Sequence, residues 1–207
     1  MRQDLRNNLL AGALCAVLWP GGQPIALGGE SLTLAVLIDN EAHVPQTILK
    51  KTQLQAADVF RHAGIGTRWL ECSFQEAEHR DPPGCQLPLD VPVVIVKILP
   101  KAEAQRWSGL DGGLGFCLSK DAYVLFPRAQ AVAQREGVPI SLVLAHTLAH
   151  EVGHSLLGAG HRRDGLMRGV LRTSEWRLAA AGQLLFTPPE ARDLREGIRK
   201  LIAPQSL

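Results

Sequence analysis

Five consecutive residues, His150-Glu151-Val152-Gly153-His154, constrain this 207-residue chain more than any other feature. They fall inside Pro139 to Gly158, the strongest helical segment of the sequence. On an α-helix, residues four apart sit about 40° apart around the axis and one turn apart along it, so both imidazoles can reach one metal ion. Glu151 points about 100° away from His150, near enough to hold a water without ligating the metal. Ala145, Leu148, Ala149, Val152 and Leu156 mark an apolar stripe. That stripe predicts a helix that buries one side and turns its imidazoles toward a cleft.

The chain continues Ser155-Leu156-Leu157-Gly158-Ala159-Gly160-His161. A helix running on to His161 would carry that imidazole about 10 Å along the axis from His154, too far to share an ion. Gly158 and Gly160 supply a stop, because either can take the left-handed conformation that ends a helix. Three neutral ligands with an open fourth position are the catalytic arrangement for zinc, whereas structural zinc sites are usually closed by four protein ligands. The expected chemistry is hydrolysis: a water acidified by the metal to a pKa near roughly 7, with Glu151 accepting its proton and passing it to the leaving amine.

HEVGHSLLGAGH followed closely by Met167 resembles the metzincin zinc metallopeptidases, whose pattern is HExxHxxGxxH with a later methionine turn under the metal. The resemblance implies His150, His154 and His161 as zinc ligands, Glu151 as general base and Met167 as the turn methionine. This chain has one residue more than the pattern: Leu157 stands where the helix-ending glycine belongs and Gly158 takes its role. Asp164 is therefore the alternative third ligand. Glu190 could be a distant carboxylate ligand of the gluzincin type, but helix capping explains it better. The chain also resembles small exported bacterial proteins that carry HEIGHLLLG, then a His, then GIMR. Here the neighbourhood is HEVGHSLLG, His161 and GLMR (Gly165 to Arg168), and the likeness extends to AYVLF and to LLFTPPEA, Leu184 to Ala191. It implies a compact zincin-like α/β fold: a mixed sheet packed on the zinc helix, an edge strand lining the cleft and a C-terminal helix. Ala122 to Phe126 is the expected substrate-side edge strand, where an extended peptide could add by backbone pairing.

The remaining elements follow from pattern. Leu32 to Asp39 is a continuous apolar run ending in charge, as in a buried strand. Pro45 to Ala63 has helical spacing and stops at Gly64 and Gly66. Thr67 to Glu71, Val91 to Leu99, Leu114 to Leu118 and Ala122 to Phe126 are strand-like, the last two separated by a polar turn. Thr187-Pro188-Pro189-Glu190 is a capping-box start for a final helix with Ala191, Leu194, Ile198 and Leu201 as its apolar stripe.

The N-terminus reads as a targeting segment. Arg2 and Arg6 precede the apolar run Leu9 to Trp19, and Ala26 and Gly28 are small residues placed for cleavage after Gly28. The run is too short to cross a bilayer comfortably, since a span needs roughly twenty apolar residues. Residues 1–28 are thus an expected signal peptide, with an uncleaved anchor as the alternative, and residues 29–207 one exported domain, periplasmic or secreted. Cysteine usage agrees with export: Cys72 and Cys85 flank a polar, Pro-rich loop and could form a disulfide, leaving Cys117 as a buried free thiol. With 22 basic and 20 acidic residues and a formal net charge of +2, no Lys/Arg cluster is long enough to track a nucleic-acid backbone. His146 is expected beside the site rather than in it, and His43, His62 and His79 in solvent. Trp107 and Trp176 flank the cleft in sequence, with core packing the favoured role for each.

These observations point to a monomeric zinc metalloendopeptidase holding one Zn(2+) and acting on protein or peptide substrates. Two alternatives stand beside it: a zinc-binding domain without turnover, and a metallohydrolase on a non-peptide amide or ester.

Overall fold

The computed structural model describes residues 32–72, 85, 91–106 and 113–202. The expected signal segment, His79 and Trp107 lie outside the described residues. By its contacts the chain divides into Met1–Glu30 and Ser31–Leu207, and everything below concerns the second unit.

The elements run β1 (Thr33–Asp39), α1 (Gln46–His62), β2 (Gly66–Glu71), β3 (Val93–Leu99), α2 (Lys101–Arg106), β4 (Gly115–Leu118), β5 (Asp121–Leu125), α3 (Phe126–Glu136), α4 (Ile140–Leu157), α5 (Thr173–Ala180) and α6 (Pro188–Ile202). Five strands form one mixed sheet in the order β2-β1-β3-β5-β4. β1 pairs in parallel with β2 and β3, β3 in parallel with β5, and β4 antiparallel with β5. The apolar run of β1 is explained by this position: an interior parallel strand is buried on both faces. Leu34, Val36 and Ile38 face the main core, while Ala35 and Leu37 face a smaller cluster with Cys72 and Cys85. Those two cysteines form a disulfide with Cα atoms 5.5 Å apart.

The expected architecture, a mixed sheet packed on the HExxH helix with a C-terminal helix, is the one found, with two corrections. Ala122 to Phe126 is not an edge. β5 is interior, between β3 and β4, because the turn at Ser119-Lys120 folds β4 back onto its outer side. Gly115–Leu118 is the edge strand on this side of the sheet, and Phe126 already belongs to α3, which has Pro127 in its first turn. The second correction concerns α4. It is not a one-sided amphipathic helix, since every residue from Ser141 to Gly153 is buried. It packs against α1, β5, α3, β4, α6, α5 and β3, so its burial extends well beyond one stripe and takes in polar residues such as His146, His150 and Glu151.

The start of α6 follows the capping pattern. Thr187 N–H donates to Glu190 Oε2 at 2.7 Å, and Glu190 N–H donates to Thr187 Oγ1 at 3.4 Å. Glu190 is thereby committed to the helix start. Among the described residues, no helix is long and apolar enough to cross a membrane.

Candidate metal centre

α4 ends at Leu157, with Gly158 at φ 84° and Gly160 at φ 113°. The chain turns back through these two glycines and brings His161 to the face that carries His150 and His154. His154 Nε2 lies 3.0 Å from His150 Nε2 and 3.3 Å from His161 Nε2. The extra residue before Gly158 therefore does not prevent the three rings from meeting. Among the described residues, this is the one group of three or more His, Cys, Asp or Glu side chains able to hold a metal ion together, with ligand atoms all within 4.8 Å of one another. Asp164 is not in it. That residue is exposed and lines a separate cavity of about 370 Å³ with Gly165 and Thr187.

The opposite nitrogens decide what these rings can do. His150 Nδ1 is 2.8 Å from the Leu166 carbonyl oxygen, and His154 Nδ1 is 3.2 Å from that of Gly158. A carbonyl only accepts, so each Nδ1 carries the hydrogen and each neutral ring leaves Nε2 with a bare lone pair. Burial, followed by the neighbouring histidines, holds His150 down at about 4, and burial also lowers His154, so both rings are neutral near pH 7. Two bare lone pairs about 3 Å apart repel unless a cation lies between them. Zinc bonded to imidazole nitrogens at 2.0–2.1 Å in tetrahedral geometry sets those nitrogens about 3.3 Å apart. The donor set thus fits such an ion.

Glu151 lines the same cleft, which has a volume of about 770 Å³. It is 5% exposed, and its Oε2 has no hydrogen-bond partner among the described residues. Burial pushes its carboxyl up to about 8. β4 makes room for it through a glycine: a Cβ on Gly115 would lie 2.8 Å from Glu151 Cγ and 2.9 Å from Oε1. One turn of α4 further, Ser155 Oγ meets Cys117 Sγ at 3.4 Å. Cys117 is half-buried in the cleft wall rather than fully enclosed, and burial pushes its thiol up.

On α4 beside the histidines, Met167 is buried against Gly153. The segment that carries it is pinned on both sides: Leu166 N–H donates to the Leu185 carbonyl at 3.0 Å, and Arg162 N–H to the Met167 carbonyl at 2.8 Å. Gly165, at φ 77°, sits where a Cβ would strike Thr187 and Glu190 at the start of α6. His146 is buried one turn before His150, its Nδ1 turned to the Leu142 carbonyl at 2.9 Å. His43 and His62 are exposed. Trp176 is 1% exposed and packs in the core while forming part of the cleft wall. Sequence reasoning missed Gly115, Gly153 and Gly169. Only Gly153 carried a signal, from its place inside the HExxH run.

No family model matches the chain, and no curated protein matches it. Among solved structures it is similar to the crystal structure of archaemetzincin from Methanopyrus kandleri, with 14% identity and a TM-score of 0.47, over 84% of this chain and 99% of that one.

Proposed function

We propose that this chain is an exported zinc-dependent peptidase in which His150, His154 and His161 hold one zinc ion and Glu151 is the general base. The observation that carries the proposal is the convergence of Nε2 atoms, two of them stripped of hydrogen by carbonyls on the opposite side of the ring. Zinc in that position supplies Lewis-acid chemistry, polarising a scissile carbonyl and acidifying water.

The chain's own groups do the rest. Glu151 Oε2, which has no hydrogen-bond partner among the described residues, accepts the proton of the attacking water and delivers it to the leaving amine. The Glu151 carboxyl, pushed up to about 8 by burial alone, would be favoured as the carboxylate beside a bound divalent cation, the form that accepts a proton. A buried, unpaired carboxylate costs stability, and a metal site that only braces a fold has no use for one. That cost supports turnover over a silent metal-binding domain.

β4 supplies the substrate rail. Leu125 N–H donates to the Leu114 carbonyl, so the alternation of an antiparallel pair turns the backbone groups of Leu114 and Phe116 toward β5 and those of Gly115 and Cys117 outward. An extended peptide pairs with those outward groups along the cleft. Export rests on the basic and apolar pattern of residues 1–28 and is supported by the Cys72–Cys85 disulfide.

The test is zinc content together with cleavage of an unfolded protein by wild type and Glu151→Ala. Wild type is expected to hold one zinc per chain and cleave, and the variant to hold zinc without cleaving. Turnover that persists in Glu151→Ala overturns the mechanism.

A further inference from the structure

His150 and His154 are each aimed by a backbone carbonyl on Nδ1. His161, the exposed member of the three, has no such carbonyl among the described residues and must be held another way. Its ring lies against Gly169: a Cβ there would sit 3.0 Å from Nδ1 and 3.1 Å from Cγ. The third imidazole therefore rests on bare backbone, and its position is set by whatever fixes residues 168 and 169.

Two sets of contacts do so. The segment closes on itself, with Arg162 N–H donating to the Met167 carbonyl and Arg162 bridging in parallel to Arg168. It is also tied to α5. Arg168 Nη1 donates to Glu175 Oε1 at 2.9 Å, while Glu175 Oε2 accepts from Arg172 N–H at 2.8 Å and Ser174 Oγ at 3.0 Å. Glu175 is buried, and the next residue, Trp176, is part of the core. The carboxylate is thus immobilised on the first turn of α5, with one oxygen left to hold Arg168.

We propose that Glu175 is a positioning residue for the third imidazole, acting through Arg168 and Gly169, and that it sets the metal affinity of the site. The proposal rests on His161 being a ligand. Glu175 touches neither metal nor substrate; its effect is to keep the His161 ring at the distance from His154 at which both share an ion. Outer-shell partners of metal ligands are worth roughly 10–100-fold in affinity.

Apo-protein is titrated with Co(2+), following its d–d absorption, and zinc affinity is measured against a competing chromophoric chelator. The variants are Glu175→Gln, Arg168→Met, His161→Ala and Glu175→Gln in the His161→Ala background, with circular dichroism as a check on folding. Glu175→Gln and Arg168→Met are each expected to weaken metal binding by about 10–100-fold and to shift the cobalt spectrum toward that of His161→Ala. In the His161→Ala background, Glu175→Gln is expected to add nothing. Arg168→Met breaks the same ion pair but leaves the bonds of Glu175 to Arg172 and Ser174, so it carries the test if Glu175→Gln fails to fold. Wild-type affinity in Arg168→Met overturns the proposal, because any loss in Glu175→Gln then belongs to the α5 cap. An equal loss from Glu175→Gln with and without His161 also overturns it. Either result leaves the zinc site standing, whereas a wild type that takes up no stoichiometric Co(2+) or zinc removes the site and this proposal together.

Discussion

Gly153 and Met167 meet so closely that a β-carbon on Gly153 would lie 2.5 Å from the Met167 sulfur. The glycine inside HEVGH therefore leaves the space on α4 that the Met167 side chain fills. Gly153→Ala gains helix propensity, but both partners are buried and the sulfur has nowhere to go without repacking. The expected net effect is a loss of about 1–3 kcal/mol. Urea unfolding of the two single variants and the pair checks it: the cost of Gly153→Ala should shrink markedly in the Met167→Ala background. Additive costs would show that the two residues do not share this contact.

Gly115 presents the same relationship across the sheet edge. A β-carbon there would strike the Tyr123 carbonyl oxygen as well as Glu151. A side-chain tip could move aside, but a strand carbonyl cannot without disturbing the β4–β5 pairing. Gly115→Ala is expected to lower kcat/KM by about 10²-fold or more, the scale on which small misplacements of reacting groups are felt. Zinc content should stay at the wild-type level, because the atoms nearest that β-carbon belong to Tyr123 and Glu151 and not to an imidazole. Parallel measurement of metal stoichiometry and peptide cleavage separates the two effects, and loss of zinc from this variant would refute the assignment.

The site was more legible than the frame around it. HExxH reports its own geometry because both histidines and the glutamate share one helix, and the stop at Gly158 was readable from the reach limit on His161. β1, α1, β3 and α6 were legible because their apolar runs or caps are strong and local. What failed depended on neighbours distant in sequence. The edge position of β4 rather than β5 is set by which strand of the hairpin pairs with β3, and nothing in AYVLF encodes it. The burial of α4 from Ser141 to Gly153 comes from seven packing partners, so a stripe of five residues understates it. Among the remaining helices, α2 and α5 are short, and α3 buries only Ala129, Val132 and Ala133, a stripe of small residues that gives a weak apolar signal. Gly115 and Gly169 are defined by side chains that arrive from elsewhere, Glu151 and His161, and so could not be singled out in advance.

The Cys72–Cys85 disulfide lies on the sheet face opposite the imidazoles, packed with Ala35 and Leu37. It closes a loop with a sequence separation of 13. Restricting an unfolded loop of that length is worth about 3 kcal/mol in the chain-entropy picture. Replacing both cysteines by serine should therefore lower stability by about that amount in urea unfolding. Zinc affinity is expected to be unchanged, since β1 and β3 intervene between the disulfide and α4. A variant that loses metal affinity while remaining folded would show that the two faces are coupled.

The zinc-free protein should show a stability maximum near pH 6.5. Glu151 titrates near 8 in the fold against an ordinary 4.5, so across that interval the folded chain holds a proton that the unfolded chain has released, and stability falls as pH rises. His150 is shifted the other way, from 6.5 to about 4, so the unfolded chain binds the extra proton and stability falls as pH drops below 6.5. Burial of His146 and His154 acts in the same direction as that of His150. Below pH 6.5 the histidines oppose and outweigh Glu151; between 6.5 and 8 Glu151 acts alone and removes about 2 kcal/mol. Chemical denaturation of chelator-treated protein at pH 6.5 and pH 8 measures this loss directly. Glu151→Gln cannot titrate and should abolish the decline above pH 6.5 while leaving the acid limb in place. A wild-type curve flat from 6.5 to 8, or a decline retained in Glu151→Gln, would show that the carboxyl is already ionised in the folded apo-protein.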